Sequence, residues 1–542
     1  MQLDYVKSTG TFTLRVDRGE ADVQALMKEQ GFNLWAAGST ASQAVLTTKE
    51  PYAAAHFHEY ATEKAMLQLL SIVAEVKSSW ADTSSASIRC PDDQELMPFQ
   101  KASVEYALKR QNCLIGDQPG LGKTPIAICF ANEIRAKRVL VICPAGIRRQ
   151  WVERINTWTM LEYPYVVYAI ENSRNGVHPT AGWTVISYEL ARTEAIGKAL
   201  AKGHYDLLIL DEAHYLKTID SRRTRAVFGG GETSFFAPLA SRCDRVLALT
   251  GTALPNRPRE AYVLARNLCF DAIDWMSEAK FGERFNPVAR MEKRRPDGSV
   301  KVYTKEEVGR AGELQNRLRA NFMVRHLKRD VMPQLKLPIY DIIRVEETGA
   351  VKQAIAAEKL LDIDPEMIET ADFEILGAVA TVRRMMGVAI APQAADYAEM
   401  LLDGGEEKIV VFAWHKEVLD ILEKRLHKHG VVRVDGSTST NQKAERVEKF
   451  IKNPAVHFII GNTLSLGTGT DGLQLASSHV LLVEPDWVPG NNEQAIDRLD
   501  RSGQRRTVQA DLFVAPGSLL ERVLASALRK GKNVHKALDE RF

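Results

Sequence analysis

GDQPGLGKT, residues 116–124, lies between the apolar run NCLI and the helix-patterned run PIAICFANEI. A strand that turns through glycines into a helix can cradle phosphate, because the glycines let backbone N–H groups approach the oxygens and the helix N-terminus adds a positive dipole. In such a cradle Lys123 reaches the β and γ phosphates and Thr124 ligates Mg²⁺. The strict pattern GxxxxGK(S/T) fails at one position, where Asp117 stands for its first glycine. Gly116, Gly120 and Gly122 keep the loop flexible. A chance glycine-rich turn would account for this stretch taken alone.

It would not account for DLLILDEAH, 206–214. There an apolar strand ends in two carboxylates, which places them at the carboxyl edge of a sheet, beside the loop. Asp211 can hold Mg²⁺ through water, and Glu212 can orient or deprotonate an attacking water. Upstream, Gln100 in LMPFQ stands where an amide could read an adenine edge or could simply be exposed. Far downstream, QAIDRLDRSGQ (494–504) sets Arg498 and Arg501 one turn apart, on one face of an expected helix. A guanidinium brought to a γ phosphate is worth about a thousandfold in rate. Delivered from a second lobe, the two would complete the site only when the lobes close. The bland alternative is a solvated helix in which they pair locally with Asp497 or Asp500.

The whole chain supports a multi-domain reading. At 542 residues it exceeds what one hydrophobic core fills, about 250–300 residues, so three or four domains are expected. Apolar residues at 45% and charged residues at 26% are ordinary globular values,. Lys and Arg number 71 against 69 Asp and Glu, net +2, so any grip on a polyanion must be local,. Six cysteines, Cys90, Cys113, Cys129, Cys143, Cys243 and Cys269, form no CxxC pair, which points away from zinc and disulfides and toward a reducing compartment,. MQLDYVKSTG is not a secretory signal and the longest apolar runs are strand-sized, so neither export nor membrane insertion is expected.

Residues 1–77 read as a small α+β module, with one helix from Pro51 through AAAHFHEYATEKAMLQLLSIVAEV and a small aromatic core of Phe32, Trp35, Tyr52 and Phe57. Residues 78–94 read as a linker. From 95 to 254 short Val/Ile/Leu runs (NCLIG, RVLVICP, WTVISY, DLLILDEAH, RVLALTGT) alternate with helical patterns, as in a parallel sheet covered on both faces. Residues 401–542 repeat that texture in KIVVFAWH, VVRVDGS, HFIIGNT and HVLLVEP. Between them, 255–400 is mostly helical, with a hairpin at EKRRPDGSVKVYTK turned by Pro-Asp-Gly. The fold class is therefore α/β, with two lobes that carry protrusions.

LMPFQ, GDQPGLGKT, VLVICPAGIRRQW, VISYEL, DEAHYLKT, LALTGTALPNRPRE, MVRHLKRDVMPQL, VVFAWH, DGSTS, EPDWVPG and QAIDRLDRSGQ resemble, in order, the motifs of the sucrose-non-fermenting (Snf) family of DNA-translocating ATPases in helicase superfamily two. TGTALPNRP, FAWHKEVLD and DGSTST are most similar to the HARP-type annealing helicases. The resemblance spans about 95–515 and leaves out the N-terminal module. It implies two RecA-like P-loop lobes, ATP and Mg²⁺ as cofactors, and a monomeric motor on double-stranded or forked DNA that does not ordinarily separate strands. It implies that Gln100 contacts adenine; that Gly120, Gly122, Lys123 and Thr124 hold phosphates and metal; and that Asp211 and Glu212 serve the metal and water. Gln494, Arg498 and Arg501 would reach the γ phosphate from the second lobe. His214, Thr250, Gly251 and Thr252 would couple nucleotide to DNA, and Pro144, Ser187, Ser437 and Thr463 would line the DNA track.

Three departures accompany it. TLSLGTG (463–469) keeps the family spacing but TDGLQL then carries extra residues; Asp500 stands for the usual His of DRxHRxGQ; Pro119 replaces a common Met. Local basic clusters that could grip a backbone are Arg148 with Arg149, Arg222 with Arg223 and Arg225, Arg325 with Lys328, and above all the hairpin's Lys293, Arg294 and Arg295. Trp487 reads as a packing anchor. The module at 1–77 is a candidate docking point for a protein partner. A compact motor without nuclear-targeting runs suits a bacterial or phage-infected cytoplasm, or the nucleus of a eukaryote. The rival functions are a strand-separating DNA or RNA helicase and an ATP-gated DNA clamp with little turnover.

Overall fold

In the computed structural model, which describes residues 1–19, 22–35, 38–160, 165–230, 236–251, 257–294, 300–361, 373–467, 470–486 and 488–539, the apolar runs are strands buried on both faces. Successive residues enter different cores. Leu140 and Ile142 face one hydrophobic cluster while Val139, Val141 and Cys143 face another; in the second lobe Ile409, Val411 and Ala413 separate in the same way from Val410 and Phe412. That period of two, with apolar side chains on both sides, is what a helix-covered parallel sheet demands.

The strands run β1 (Gln2–Val6), β2 (Thr11–Asp17), β3 (Asn33–Leu34), β4 (Gln43–Thr48), β5 (Asn112–Ile115), β6 (Val139–Cys143), β7 (Val167–Ile170), β8 (Trp183–Ser187), β9 (Tyr205–Asp211), β10 (Cys243–Leu249), β11 (Val288–Arg294), β12 (Val300–Glu306), β13 (Met323–Val324), β14 (Ile339–Arg344), β15 (Ile409–Ala413), β16 (Val431–Val434), β17 (Phe458–Asn462), β18 (His479–Leu482) and β19 (Gln509–Val514). The first lobe is a parallel sheet in the order β13-β5-β10-β9-β6-β8-β7, and the second a parallel sheet β14-β19-β18-β15-β17-β16. Two of these strands, β13 and β14, come from the stretch expected to be mostly helical, so each sheet takes in residues from the connection between the lobes.

The N-terminal module is an antiparallel sheet β1-β2-β4-β3. The single helix expected from Pro51 is broken into Pro51–Ala55, a short 3-10 turn His58–Tyr60, and Glu63–Ser79. Thr62 makes the break: its N–H donates to Leu3 at 2.8 Å and its hydroxyl caps Ala65,. Phe32 and Phe57 meet edge to face at 5.4 Å in the small core. Trp35 does not join them and is 52% exposed, while Tyr52 lies under the Arg317 guanidinium. The expected linker is packed on the first lobe, with Trp80 stacked on Arg319 at 3.3 Å and Ser84 donating to Glu105.

β11 and β12 pair as the expected hairpin, Val288 opposite Glu306 and Arg294 opposite Val300. Its Pro-Asp-Gly turn and Arg295 lie outside the described residues, as do Thr252 and Trp487. No described helix is long and apolar enough to cross a membrane.

Candidate active site

Both lobes line one cavity of about 410 Å³. β5 feeds residues 116–122 into the helix Lys123–Glu133, so the loop emerges at the carboxyl edge of the sheet. Gly120 and Gly122 have φ of +86° and +76°, and each is also hemmed in: a Cβ on Gly120 would fall 2.7 Å from that of Arg501, and one on Gly122 would strike the Gln100 amide. Both positions thus need glycine twice over.

Gln100 is buried and its amide braces the loop, donating to Leu121 O at 3.0 Å while its oxygen accepts from Met97 N at 2.8 Å. It borders the cavity from behind the loop and is not the exposed side chain of the alternative reading. Lys123 donates to the carbonyls of Asp117 and Gln118 at 2.8 and 3.4 Å. Burial pulls its ammonium below the ordinary lysine value, against Glu212, Asp117 and Asp211, which hold it up,.

At the end of β9, Trp151 Nε1 donates to Asp211 Oδ2 at 2.7 Å, a contact absent from the sequence reading because nothing in the RRQW segment marks a partner 60 positions away. Glu212 occupies the left-handed region, φ 50°, a sparsely populated conformation for a side-chain-bearing residue,. Burial raises both carboxyls. At Asp211 burial and the adjacent Glu212 charge prevail and push it up to about 6; at Glu212, His214, Lys123 and Arg498 outweigh burial and hold it well below the carboxylate range. The buried Asp211, raised by burial and by the Glu212 charge, with Thr124 on the same cavity, is a hard-oxygen pair suited to a divalent cation,. His214 Nδ1 lies 3.3 Å from Glu212 Oε2 and 3.0 Å from Thr250 Oγ1, which ties the carboxylate strand to the segment after β10. Gly251 packs on Pro119 and its carbonyl accepts from Arg325 at 3.1 Å.

The second lobe contributes Gln494, whose Nε2 lies 3.5 Å from Glu212 Oε1, and Arg498 and Arg501, which line the cavity. The expected common helical face is not formed. The helix Pro489–Ile496 stops short, and the arginines sit on the turns beyond it. There Arg501 and the Asp500 carbonyl pack against Gly120. Nor do Asp497 and Asp500 pair with the arginines. Both bind Lys328 of the first lobe, Asp500 Oδ2 at 2.8 Å. Lys328 and Arg325, 5% and 4% exposed, are therefore not a nucleic-acid grip. Arg325 is locked onto Asp539 at 2.7 Å and onto the carbonyls of Gly116 and Gly251.

Of the residues expected along a DNA track, Pro144, Ser187 and Thr463 are buried, and the Ser187 hydroxyl caps a helix. Ser437 is exposed, with its hydroxyl on Asp435 at 2.6 Å. Lys293 and Arg294 lie on β11. On the far side of Glu212 a second cleft of about 500 Å³ is lined by Arg192, Lys217, Arg222 and Arg223 of the first lobe and by Asn491 and Gln494 of the second.

Residues 99–354 match the SNF2-related domain and residues 393–503 the helicase conserved C-terminal domain. The DNA annealing helicase and endonuclease ZRANB3 of Bos taurus is 28% identical over 83% of this chain and 41% of its own length. The SWI/SNF-related matrix-associated actin-dependent regulator of chromatin subfamily A-like protein 1 of Bos taurus is 30% identical over 84% of this chain and 46% of its own. The chain thus spans less than half the length of these relatives. The solved Sulfolobus solfataricus SWI2/SNF2 ATPase core in complex with dsDNA aligns with 85% of this chain and 99% of its own at 17% identity and a TM-score of 0.38.

Proposed function

This chain belongs to the SNF2-related family, and from that premise we propose that it is an ATP-driven motor that tracks along double-stranded DNA in replication, repair or fork remodelling. One observation carries the reading: Gln494 of the second lobe meets Glu212 of the first over the cavity that also holds Lys123, Thr124 and both arginines. Hydrolysis can then depend on how the lobes meet.

On this reading the glycines of the loop admit the phosphates and Lys123 moves from its carbonyls to the γ phosphate. Thr124 and Asp211 would hold Mg²⁺, which neutralises charge on the β and γ phosphates when bound. Glu212, kept ionised by His214, Lys123 and Arg498, orients and deprotonates the attacking water. Arg498 and Arg501 stabilise charge on the transferring phosphoryl group. His214 and Thr250 carry the change toward the basic cleft, where the duplex backbone would lie. Lys293, Arg294 and Arg295 extend that grip, and the N-terminal module offers a surface for a protein partner.

The test is steady-state ATP hydrolysis without nucleic acid and with single-stranded DNA, duplex DNA, forked DNA or RNA. Glu212→Gln serves as the blank and is expected to lose about a hundredfold or more in kcat. Stimulation by duplex or forked DNA is expected. Stimulation by RNA or single strands alone would replace the proposal with a strand-separating helicase, and binding without turnover would replace it with a clamp. Reversing the three hairpin charges tests that contact through the salt dependence of stimulation.

A further inference from the structure

One short stretch of the second lobe holds both arginines. Arg498 donates to the carbonyls of Gly467 and Thr470 at 2.7 and 3.4 Å, and Arg501 pairs with Asp471 Oδ1 at 2.6 Å. Asp471 Oδ2 also lies 4.0 Å from Arg154 of the first lobe. That carboxylate thus faces a guanidinium from each lobe, and it borders the cavity beside Lys123 and Glu212.

A carboxylate presents a guanidinium with the same charge sign and paired oxygens as a phosphoryl group. The Arg501 backbone packs on Gly120 of the phosphate loop, so from one fixed root its side chain can serve either acceptor. With side-chain exposures of 21% and 40%, the Arg501–Asp471 pair is screened and weak enough to exchange,. After exchange Arg154 still faces Asp471, so the carboxylate is not left without a cation.

We propose that Asp471 is a positioning residue that holds Arg501 away from the γ phosphate until engagement of DNA shifts the arginine onto it, an inference that rests on the ATPase reading above. Asp471 thereby suppresses hydrolysis in the absence of DNA.

The experiment measures kcat and KM for ATP of the full chain, with and without saturating duplex DNA, for wild type, Asp471→Asn, Asp471→Glu, and Asp471→Asn combined with Arg501→Ala. Asp471→Asn is expected to raise the DNA-free kcat by roughly two- to fivefold, the scale of an exposed ion pair, so that the stimulation ratio falls by the same factor. Asp471→Glu keeps the wild-type ratio, and in the Arg501→Ala background the rise disappears. An unchanged or lowered DNA-free kcat in a variant with the wild-type melting temperature overturns the inference, as does a rise that survives Arg501→Ala. Should Asp471→Asn not fold, Asp471→Ser carries the same expectation. A wild type with no DNA-stimulated hydrolysis overturns the ATPase reading and this inference with it, whereas a stimulated wild type with an unresponsive Asp471 variant overturns only the inference.

Discussion

Asp117 is fully buried and its carboxylate accepts from the His326 N–H at 2.8 Å, lies 2.9 Å from His326 Nδ1, and accepts from Ser103 at 3.3 Å. His326 Nε2 meets the Ala81 carbonyl at 2.9 Å, so both ring nitrogens face acceptors, an arrangement that favours the imidazolium,. Burial alone would lower its pKa, but Asp117 outweighs burial and raises it; burial would raise Asp117, but His326 outweighs it and lowers it. The two signs bound a window. His326, raised in the folded state, stabilises fully below the unfolded value of about 6.5, and that contribution is lost as pH rises through its folded pKa. Asp117, lowered in the folded state, stabilises above the ordinary carboxylate value, and its contribution is lost as pH falls through its folded pKa. The stability gap between wild type and His326→Gln, by chemical denaturation, is therefore expected to be about 1–3 kcal/mol at pH 6 and to narrow steadily toward pH 9. A gap independent of pH would mean the ring is neutral. The departure from the strict glycine pattern is legible in sequence as a departure only; its reason, a histidine 209 positions away, is not.

The helix Ala311–Asn321 shows the same at the scale of an element. Its polar sequence, AGELQNRLRAN, suits a solvated helix, yet Glu313, Arg317 and Arg319 are at most 1% exposed, because the N-terminal module wraps it. Arg317 reaches Glu313 at 2.8 Å, Glu50 at 2.7 Å and Asp274 at 2.7 Å, and Arg284 bridges Glu50 and Glu313. Removing one partner strands buried charge. Arg317→Met is expected to cost about 3–5 kcal/mol in denaturant unfolding and to loosen the module, read as new protease sensitivity between residues 1 and 80. A loss below 1 kcal/mol would show that the network adds little beyond packing. A mostly helical texture was legible here, but the end of this helix at Asn321, before β13, was not, and its burial depended on a carboxylate 267 positions upstream, which no local pattern registers.

At the scale of the whole molecule, the described residues join the lobes at buried points besides the cavity walls. Lys328 binds Asp497 and Asp500, Arg325 binds Asp539 at 2.7 and 3.2 Å, and Leu538 enters the core of the first lobe. Lys328 stands on the segment after β13 and grips the turn that carries Arg501, so it sets where the arginines stand relative to the phosphate loop. Asp500, in place of the family's usual histidine, supplies it with a second carboxylate. Lys328→Met is expected to lower DNA-stimulated kcat by about tenfold to a hundredfold, the cost of small misplacements in an assembled site, while each lobe keeps its secondary structure by circular dichroism. An unchanged kcat would remove Lys328 from the coupling of the lobes.

The sequence by itself determined that two parallel sheets would form, though not their strands β13 and β14, and it pointed to a glycine loop beside paired carboxylates and to two arginines brought from elsewhere, because apolar period and motif chemistry are local and survive in one dimension. Tertiary structure alone decided which charges meet. Asp117 with His326, Lys328 with Asp500, and Arg325 with Asp539 are all partners whose attraction depends on distance in space and on exclusion of water. Neither quantity is written along the chain, so Arg325 and Lys328, which read as a grip on a nucleic-acid backbone, became buried ties, and the helix expected to carry both arginines ended at Ile496, with Arg501 set against Gly120.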